Sequence, residues 1–330
     1  MTILVDARFD DYLDVDGASS GVTGTGFAPI WLIQTPGFLP SGSNGDGVTY
    51  PSGSGIDPAT GLQHASLVAD PAGSGKTVAK FIIDPLQTQL TGGYLRSECT
   101  FHTGNNNDNN QAAAFLPNTN SSDYWYWYAF YMPEDWNPGA PLVLMQLHDL
   151  DNVSAGLPLG TGAPSTMDPS LILTTCDHNS FLDHTRLNKL SFRQAVSLVD
   201  DETPTTLANM ERRYPHVMTS LPLGRWVEVV VNYHAHQADA TGKTVIWIDR
   251  RKVYQHSRRN SYSNEYGVSL HIGLYGYWGA AGLSRSTLYT KGAVIGDKNH
   301  ASFNAFMAAC GWPAKTELEF AANGTIRGAA

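Results

Sequence analysis

The sequence predicts an all-β fold, and two features of the 330-residue chain support this prediction. The first is composition: 32 glycines and 18 prolines accompany a charged fraction of only 15%, whereas aromatic residues reach 11%. Such proportions are typical of turn-rich β proteins and unlike those of helical bundles. The second is the recurrence of short apolar runs, separated by turn residues, from about residue 63 onward. This spacing favours a β-jelly roll, a sandwich of two antiparallel sheets, with few short helices.

The chain divides into three predicted segments. Residues 1–62 are rich in Gly, Ser, Pro and Thr, so we expect a loop-rich N-terminal part with short strands that packs on the core or leads into it. Residues 63–298 form the predicted jelly-roll domain. Residues 299–330 are expected to hold a C-terminal helix and a tail.

Ten apolar runs of strand length, each bounded by turn signals, occupy the predicted jelly-roll domain. In chain order they are HASLVAD, KTVAKFIID, GGYLRSECTFH, DYWYWYAFYMP, PLVLMQLHD, SLILTTCD, GRWVEVVVNYH, KTVIWIDRRKVYQ, GVSLHIGLYGYWG and STLYTKGAVIGD.

Helix is expected in two places. In HASFNAFMAACGW, apolar side chains recur at i, i+3, i+4 and i+7, the stripe of one helix face: Phe303, Phe306, Met307 and Cys310. Gly311 and Pro313 end this helix. The segment TLANMERRY at 206–214 is the second candidate helix.

The net charge of −9 restricts the partners of the chain. An acidic molecule without a global basic face does not favour nucleic acid, and any acidic ligand must meet a local basic cluster. No apolar run approaches the ~18 residues of a membrane span. Residues 1–17 lack the basic and apolar regions of a signal peptide. We therefore expect a soluble protein without a membrane partner that is not exported by the usual route.

Several familiar site motifs are incomplete. AGSGKT ends like a phosphate-binding loop, but Asp70 occupies the position of its first glycine, and a predicted strand follows. The chain has neither H-E-x-x-H nor G-x-S-x-G, and its three cysteines, without a C-x-x-C pair, predict free thiols. DVDG at 14–17 begins like an EF-hand loop without its final Glu, which leaves a structural calcium ion at Asp14 or Asp16 as a secondary hypothesis.

Polar residues stand at alternate positions in three of the predicted strands, where their side chains share one face. In GGYLRSECTF they are Tyr94, Arg96 and Glu98. In VLMQLHD they are Gln146 and His148, with Val143, Met145 and Leu147 on the opposite face. In VSLHIGLYGYW they are His271, Tyr275 and Tyr277, with Gly273 among them.

Each of these stretches alone is consistent with an ordinary solvated sheet face. Together they supply a guanidinium, an amide, an imidazole and a phenol within one β domain. Gly273 removes a side chain at a position where a ligand could approach the backbone closely. The three strands are therefore the candidate site.

These segments resemble the three motif regions of the jelly-roll polysaccharide lyases, of the alginate lyase, heparin lyase I and glucuronan lyase type. Those enzymes carry R-S-E-L-R, Q-I-H or Q-V-H, and Y-F-K-A-G-V-Y-N-Q. The counterparts here are RSECT at 96–100, QLH at 146–148 and SLHIGLYGY at 269–277. The resemblance extends from about residue 65 to 297 and implies a concanavalin-like jelly roll. Departures from the family pattern leave the substrate open: Thr100, His271, Gly276 and Tyr277.

The resemblance implies β-elimination at a uronic acid, in which the C5 proton is removed and the C4 oxygen leaves. Arg96 and Gln146 would neutralise the uronate carboxylate, and losing one such donor costs ~3–4 kcal/mol. If the two groups leave from opposite faces, His148 would be the base and Tyr275 the acid. If they leave from the same face, Tyr275 would serve as both, with Arg96 lowering its pKa. Both assignments remain open.

Further residues are expected to bind the polymer. On the same strands and directly after them lie Tyr94, Glu98, His271, Tyr277 and Trp278. The run at 249–260 predicts a hairpin whose cations would form a wall of the cleft and supply positive charge: Arg250, Arg251, Lys252 and Arg258. A solvated turn is the alternative for this run.

Two other functions remain in play, a carbohydrate-binding jelly roll without catalysis and a glycoside hydrolase on the same fold. A lectin needs no proton carriers such as His148 and Tyr275. A hydrolase needs two carboxylates across the scissile bond, and the E-x-D-x-x-E string of jelly-roll glucanases is missing. A lyase that acts on an acidic polysaccharide outside cells, without a required cofactor, is the leading hypothesis. The Gly/Ser-rich N-terminal part suggests a phage virion protein, and non-classical release is the alternative route.

Overall fold

The computed structural model of the chain describes residues 3–9, 30–34, 56–88, 95–102, 123–149, 171–176, 187–197, 210–217, 220–234, 242–258, 260, 268–276, 282–320 and 326–327. These residues form mainly β-strands, together with one helix of seven residues. No helix in these ranges is long and apolar enough to cross a membrane.

The strands in chain order are β1 (Ile3–Arg8), β2 (Ile30–Gln34), β3 (Ala65–Ala69), β4 (Thr77–Ile83), β5 (Leu95–His102), β6 (Asp123–Tyr131), β7 (Val143–Asp149), β8 (Leu171–Cys176), β9 (Leu187–Ser197), β10 (Met210–Val217), β11 (Trp226–His234), β12 (Lys243–Ile248), β13 (Arg251–His256), β14 (Val268–Gly276), β15 (Ser286–Gly296), β16 (Glu319–Phe320) and β17 (Ile326–Arg327). The helix α1 is Phe303–Ala309.

Two antiparallel sheets contain most of these strands. The eight-stranded sheet has the order β13-β12-β11-β6-β15-β4-β3, and β1 also pairs with β15. The seven-stranded sheet has the order β10-β9-β8-β7-β14-β5-β2. All ten predicted runs are strands, and the run KTVIWIDRRKVYQ holds both β12 and β13. The predicted all-β jelly roll is therefore confirmed.

The main core lies between the two sheets because alternate side chains of the facing strands are apolar. Strand β6 contributes Tyr126, Tyr128 and Phe130. Strand β14 contributes Leu270, Ile272 and Leu274. The intervening residues of β14, such as His271 and Tyr275, lie on the outer face of the seven-stranded sheet, which is the face of the candidate site.

Helix α1 covers the outer face of the eight-stranded sheet and confirms the helix predicted from HASFNAFMAACGW. Ser302 caps its N-terminus by accepting a hydrogen bond of 3.2 Å from the Ala305 N–H. The predicted stripe is buried: Phe303, Phe306 and Met307. The Phe306 ring lies 5.4 Å from that of Trp125, so the helix packs on aromatic side chains of the sheet.

The helix predicted over residues 206–214 is wrong for residues 210–214, the part of it that the structure describes. Residues 210–217 form β10, which pairs with β9 at the edge of the seven-stranded sheet. Pairing with a neighbouring strand overrides the local preference of this segment, as is common for sheets. An edge strand also tolerates Pro215, which lacks a donor N–H, and the register shifts between Arg213 and His216.

The N-terminal segment contributes a strand to each sheet. Strand β1 pairs with β15, and β2 pairs with β5. Neither strand was among the ten predicted runs, because both fall within residues 1–62. The domain boundaries at 62 and 298 stay predictions.

Replacing Phe306 by Ala is expected to lower the free energy of unfolding by about 3–5 kcal/mol, because the change leaves a cavity between α1 and Trp125. Urea denaturation followed by fluorescence measures this loss. Ala308→Ser on the exposed side of the helix is the control and should change stability by less than about 0.5 kcal/mol. A Phe306→Ala variant as stable as the unsubstituted protein would contradict the packing of α1 on the sheet.

Candidate active site

Strand β14 brings the three predicted segments together, since it lies between β5 and β7 in the seven-stranded sheet. Tyr275 is paired with Arg96 of β5, and His271 is paired with Gln146 of β7. Directly paired residues of neighbouring strands carry their side chains on the same face. The guanidinium, the amide and the phenol of the predicted site therefore share the outer face of this sheet.

The Glu98 carboxylate is the centre of the contacts on this face. Its Oε2 accepts a hydrogen bond of 2.9 Å from Gln146 Nε2. Its Oε1 lies 3.6 Å from Arg96 Nη1 and 3.5 Å from His271 Nδ1. Glu98 itself is only 2% exposed. One buried anion thus connects side chains from all three strands.

The pKa of Glu98 reflects these contacts. Burial alone raises the pKa of a carboxyl group, because it penalises the charged form. The close contact with His271, the charge of Arg96 and the hydrogen bond from Gln146 outweigh burial, so the pKa of Glu98 is lowered. The carboxylate is therefore ionised at neutral pH.

Arg96 packs on the ring of Tyr275. The guanidinium carbon lies 4.5 Å from the ring centre, which is a cation–π contact. On the apolar side, Tyr275 belongs to a buried cluster with Val143 and Ile172, and it is 6% exposed. The Arg96 side chain is 28% exposed and so remains accessible to a ligand.

Gly273 allows β14 to pass close to β5. Its φ is +136°, and a Cβ at this position would lie 2.5 Å from Glu98 Cα and from the Ser97 carbonyl oxygen. The neighbouring strand therefore explains this glycine, whereas the sequence alone attributed it to the approach of a ligand. Any side chain here would push apart the strands that carry Glu98 and Tyr275.

A register shift in β7 changes the face of Val143. The pairing of β7 with β8 shifts between Val143 and Met145. As a result Leu144 and Met145 both enter the main core, while Val143 packs beside Tyr275. The prediction that Val143 lies opposite to Gln146 is thus wrong, because strict alternation ends at an irregularity of this kind.

Polar contacts behind the sheet fix β5 in place. Gln87 Nε2 donates a hydrogen bond of 2.9 Å to the Arg96 carbonyl, and Ser97 Oγ donates one of 2.6 Å to the His64 carbonyl. The His64 ring, which is fully buried, lies 3.3 Å from Asp57 Oδ2 and 2.8 Å from the Ile82 carbonyl oxygen. These hydrogen bonds therefore hold the β5 backbone around Arg96 in place.

Arg193 extends the polar face and was missed by the sequence analysis. It lies on β9 opposite Ile172 of β8, which in turn lies opposite Gln146. Arg193 is only 4% exposed, unlike a typical surface cation. The alternation of apolar Leu190 and Phe192 with polar Ser191 and Arg193 in the run LSFR indicates a strand, but it does not indicate which sheet that strand joins.

Several predicted site residues have no described side chain. Tyr94, Tyr277 and Trp278 lie outside the described residues. His148 lies on β7, where its backbone pairs with Ser269, but its side chain is outside the described part of the chain. The roles of these four residues stay predictions.

The structure does not bring the cationic hairpin onto this face. Strands β12 and β13 form the edge of the eight-stranded sheet, and their turn is Asp249–Arg250. Arg250 and Arg251 line a cavity beside Trp127, which belongs to the outer apolar cluster of that sheet. Lys252 lies 3.6 Å from Glu317, and Arg258 is an exposed residue beyond the end of β13. Arg250, Arg251 and Lys252 therefore do not join Arg96 and Tyr275.

Metal ligands and reactive thiols are not found in the described part of the site. No group of three or more His, Cys, Asp or Glu side chains within the described ranges could hold a metal ion. Asp14 and Asp16, the candidate calcium ligands, lie outside those ranges.

Cys99 is a free thiol on the inner side of the sheet that carries the site, and burial together with the Glu98 charge raises its pKa well above the usual value. A thiol of this kind is not a nucleophile at neutral pH.

A family model described as polysaccharide lyase matches residues 52–291. The matched span includes β5, β7 and β14 and hence the whole Glu98 cluster. None of the curated proteins compared with this chain is significantly similar to it in sequence.

Solved structures with a similar fold include lyases and a hydrolase. An endo-β-1,4-glucuronan lyase from the fungus Trichoderma reesei is 17% identical, with 72% of this chain and 87% of that chain covered and a TM-score of 0.49. An alginate lyase of polysaccharide lyase family 7 is 13% identical, with 81% and 94% covered and a TM-score of 0.45. A family 131 β-glucanase catalytic domain from Podospora anserina is 14% identical, with 90% and 96% covered and a TM-score of 0.48.

Lowering the pH is expected to destabilise the protein through Glu98. Because the pKa of Glu98 in the folded protein is lower than its ordinary value of 4.5, the ionised carboxylate contributes stability that is fully present above that pH. This contribution is lost as the pH falls through the folded-state pKa. Thermal unfolding at a series of pH values from about 6 to about 3 measures the loss.

Glu98→Gln is the matched control for this pH dependence, since it keeps the shape of the side chain and has no charge to titrate. The difference in stability between the two proteins should therefore shrink as the pH falls. Parallel stability curves across the whole range would contradict the assigned role of Glu98.

Proposed function

This chain belongs to the polysaccharide lyase family, and on that premise we propose that it cleaves a polysaccharide containing uronic acid by β-elimination. The C5–H and C4–O bonds break, a C4=C5 double bond forms, and the leaving oxygen takes up a proton. The observation that carries this proposal is the convergence of Arg96, Gln146 and Tyr275 on one sheet face around buried Glu98.

Arg96 and Gln146 neutralise the carboxylate of the uronate in this mechanism. The C5 proton is scarcely acidic while that carboxylate holds its full charge. The guanidinium of Arg96 is accessible. Gln146 is 3% exposed and its Nε2 donates to Glu98, so Gln146 would reach the uronate with the second N–H of that amide. Donors positioned before the reaction stabilise the developing charge, and each is worth ~2.7–4 kcal/mol.

Tyr275 transfers protons to or from the sugar. Its contact with Arg96 supports the assignment in which Tyr275 is both base and acid, because a neighbouring cation stabilises a phenolate. The alternative assignment, with His148 as base and Tyr275 as acid, applies when the two groups leave from opposite faces. The stereochemistry of the substrate decides between them.

Glu98 acts as a positioning residue in this proposal. The sequence predicted that Glu98 binds substrate. Its burial and its contacts with Arg96, Gln146 and His271 indicate instead that it holds these side chains in position. A fixed anion behind the donors sets their orientation before the polymer arrives. Arg193, two strands beyond Gln146, is proposed to add positive charge along the same face.

A hydrolase is less well supported than a lyase. A glycosidase requires two carboxyl groups on opposite sides of the scissile bond, ~5–10 Å apart. In the described part of this sheet face, the carboxylate that makes these contacts is that of Glu98, and it is buried among other side chains rather than directed at a bound sugar.

Action outside the cell, association with a virion and independence from a cofactor stay predictions.

Incubation with alginate, glucuronan, heparin and bacterial capsular polymers should reveal at least one polymer from which ultraviolet absorbance of a C4=C5 bond develops. Activity should persist in EDTA, because the proposed mechanism uses side chains alone. Release of reducing ends without the chromophore would establish a hydrolase instead. Binding of a polymer without any cleavage would indicate a lectin.

Replacing Tyr275 by Phe is expected to lower kcat/KM on the preferred polymer by about 10²–10⁴-fold, because the proton carrier is lost. The thermal midpoint should stay close to that of the unsubstituted protein, since the ring and its contact with Arg96 remain. Tyr254→Phe on β13 is the control and should leave kcat/KM unchanged. Full activity of Tyr275→Phe would remove this residue from the mechanism.

A further inference from the structure

The outer face of the eight-stranded sheet carries a cavity of about 470 Å³ beside the β12–β13 turn. This volume lies within the usual range of small-ligand sites, about 300–1,000 Å³. Trp127 and Ala129 line it and belong to the apolar cluster under α1, on the side away from the seven-stranded sheet. We call this feature the outer cavity, and it is separate from the Arg96–Tyr275 face.

Basic side chains dominate the polar lining of the outer cavity. They are Arg225, Arg250, Arg251, Lys291 and Lys315. Two carboxylates also line it, Glu228 and Asp249, so five cations face two anions and the excess is three positive charges. In a chain with a net charge of −9, this local excess makes the outer cavity attractive to an anion.

The two carboxylates are already engaged within the protein. Lys315 Nζ lies 2.6 Å from Glu228 Oε2, and Arg225 Nη1 lies 2.7 Å from Asp249 Oδ2. The pKa of Lys291 is lowered, mainly by burial: the charge of Asp70 raises it, Lys315 and Lys76 lower it, and Glu228 raises it. An anion in the outer cavity would relieve the repulsion among these ammonium groups.

Trp226, which is half-buried, gives the outer cavity an aromatic surface next to its charges, whereas Trp127 is buried beneath Trp312. Trp226 is fixed by a hydrogen bond of 2.9 Å from its Nε1 to Asp70, and Lys291 Nζ lies 4.4 Å from its ring centre. Trp127 donates a hydrogen bond of 2.9 Å to Glu228. The Trp226 ring beside cations suits a ligand that has both a carboxylate and the apolar C–H face of a sugar ring.

The turn that presents Arg250 is held in an unfavourable conformation. Asp249 and Arg250 have φ values of 48° and 68°, a left-handed region that residues other than glycine rarely adopt. Asp249 Oδ1 accepts a hydrogen bond of 3.0 Å from the Glu228 N–H, and the Arg250 carbonyl accepts one of 3.0 Å from the Leu318 N–H. A two-residue hairpin turn of type I′ requires positive φ at both central residues, and these contacts fix the turn that presents Arg250.

We propose that the outer cavity is a second binding site for a uronate segment of the same polysaccharide, distinct from the catalytic face. This inference rests on the proposed function for the choice of ligand. A polymer with a carboxylate on many of its sugars can occupy both sites. Binding of the polymer at the outer cavity raises its effective concentration at the catalytic face.

Arg250→Gly tests the proposal because it removes a cation of the outer cavity at a position where glycine is conformationally favoured. The fold should be retained, with a thermal midpoint equal to or above that of the parent, since glycine adopts φ near +68° without strain. Affinity is measured by electrophoresis in gels that contain alginate, glucuronan or heparin. The full-length chain carries Tyr275→Phe throughout, so that polymer is not consumed.

Arg250→Gly is expected to weaken binding of at least one of these polymers roughly tenfold, the loss of one charge-assisted contact. Lys298→Gly, which removes the same charge from an exposed turn elsewhere, should have no such effect. Equal affinities of the two variants for every polymer would overturn the second site. Because binding is measured without turnover, a failure of the lyase assay would contradict the proposed function and leave this result intact.

Discussion

The buried carboxylate of Glu98 is the group on which the arrangement of the site depends. A carboxylate that is 2% exposed is costly unless it is paired and hydrogen-bonded. Here the cost is offset by Gln146, Arg96 and His271, which come from three adjacent strands. The contacts that stabilise this buried carboxylate therefore also orient the donor side chains before any substrate binds. Such preorganised donors are the condition for electrostatic stabilisation of a transition state.

Backbone geometry makes this cluster possible. Strand β14 must pair in register with β5 and β7 at once, because a slip by one residue would send Tyr275 into the core and Leu274 to the surface. Gly273 permits the close passage of β14 over β5 at Glu98. The chemistry of the outer face is thus inseparable from the packing of apolar residues on its inner face.

The two sheets use their outer faces differently. The seven-stranded sheet presents polar side chains of the candidate site, whereas the eight-stranded sheet buries aromatic residues under α1 and gathers cations around the outer cavity. An acidic protein that acts on an acidic polymer needs local positive charge, and this chain concentrates it in more than one place. Membership in the polysaccharide lyase family agrees with that distribution.

The sequence by itself determined the local features: ten strand-forming runs, the apolar stripe of α1, and the alternation that places Arg96 with Glu98 and His271 with Tyr275 on one face. These follow from periodicity, which is a property of neighbouring residues. Only the tertiary structure decided which segments meet. It made residues 210–217 an edge strand, turned Val143 toward Tyr275, added Arg193 to the polar face and put Arg250 on the other sheet. Strand order and register arise from contacts between distant parts of the chain, so no local pattern encodes them.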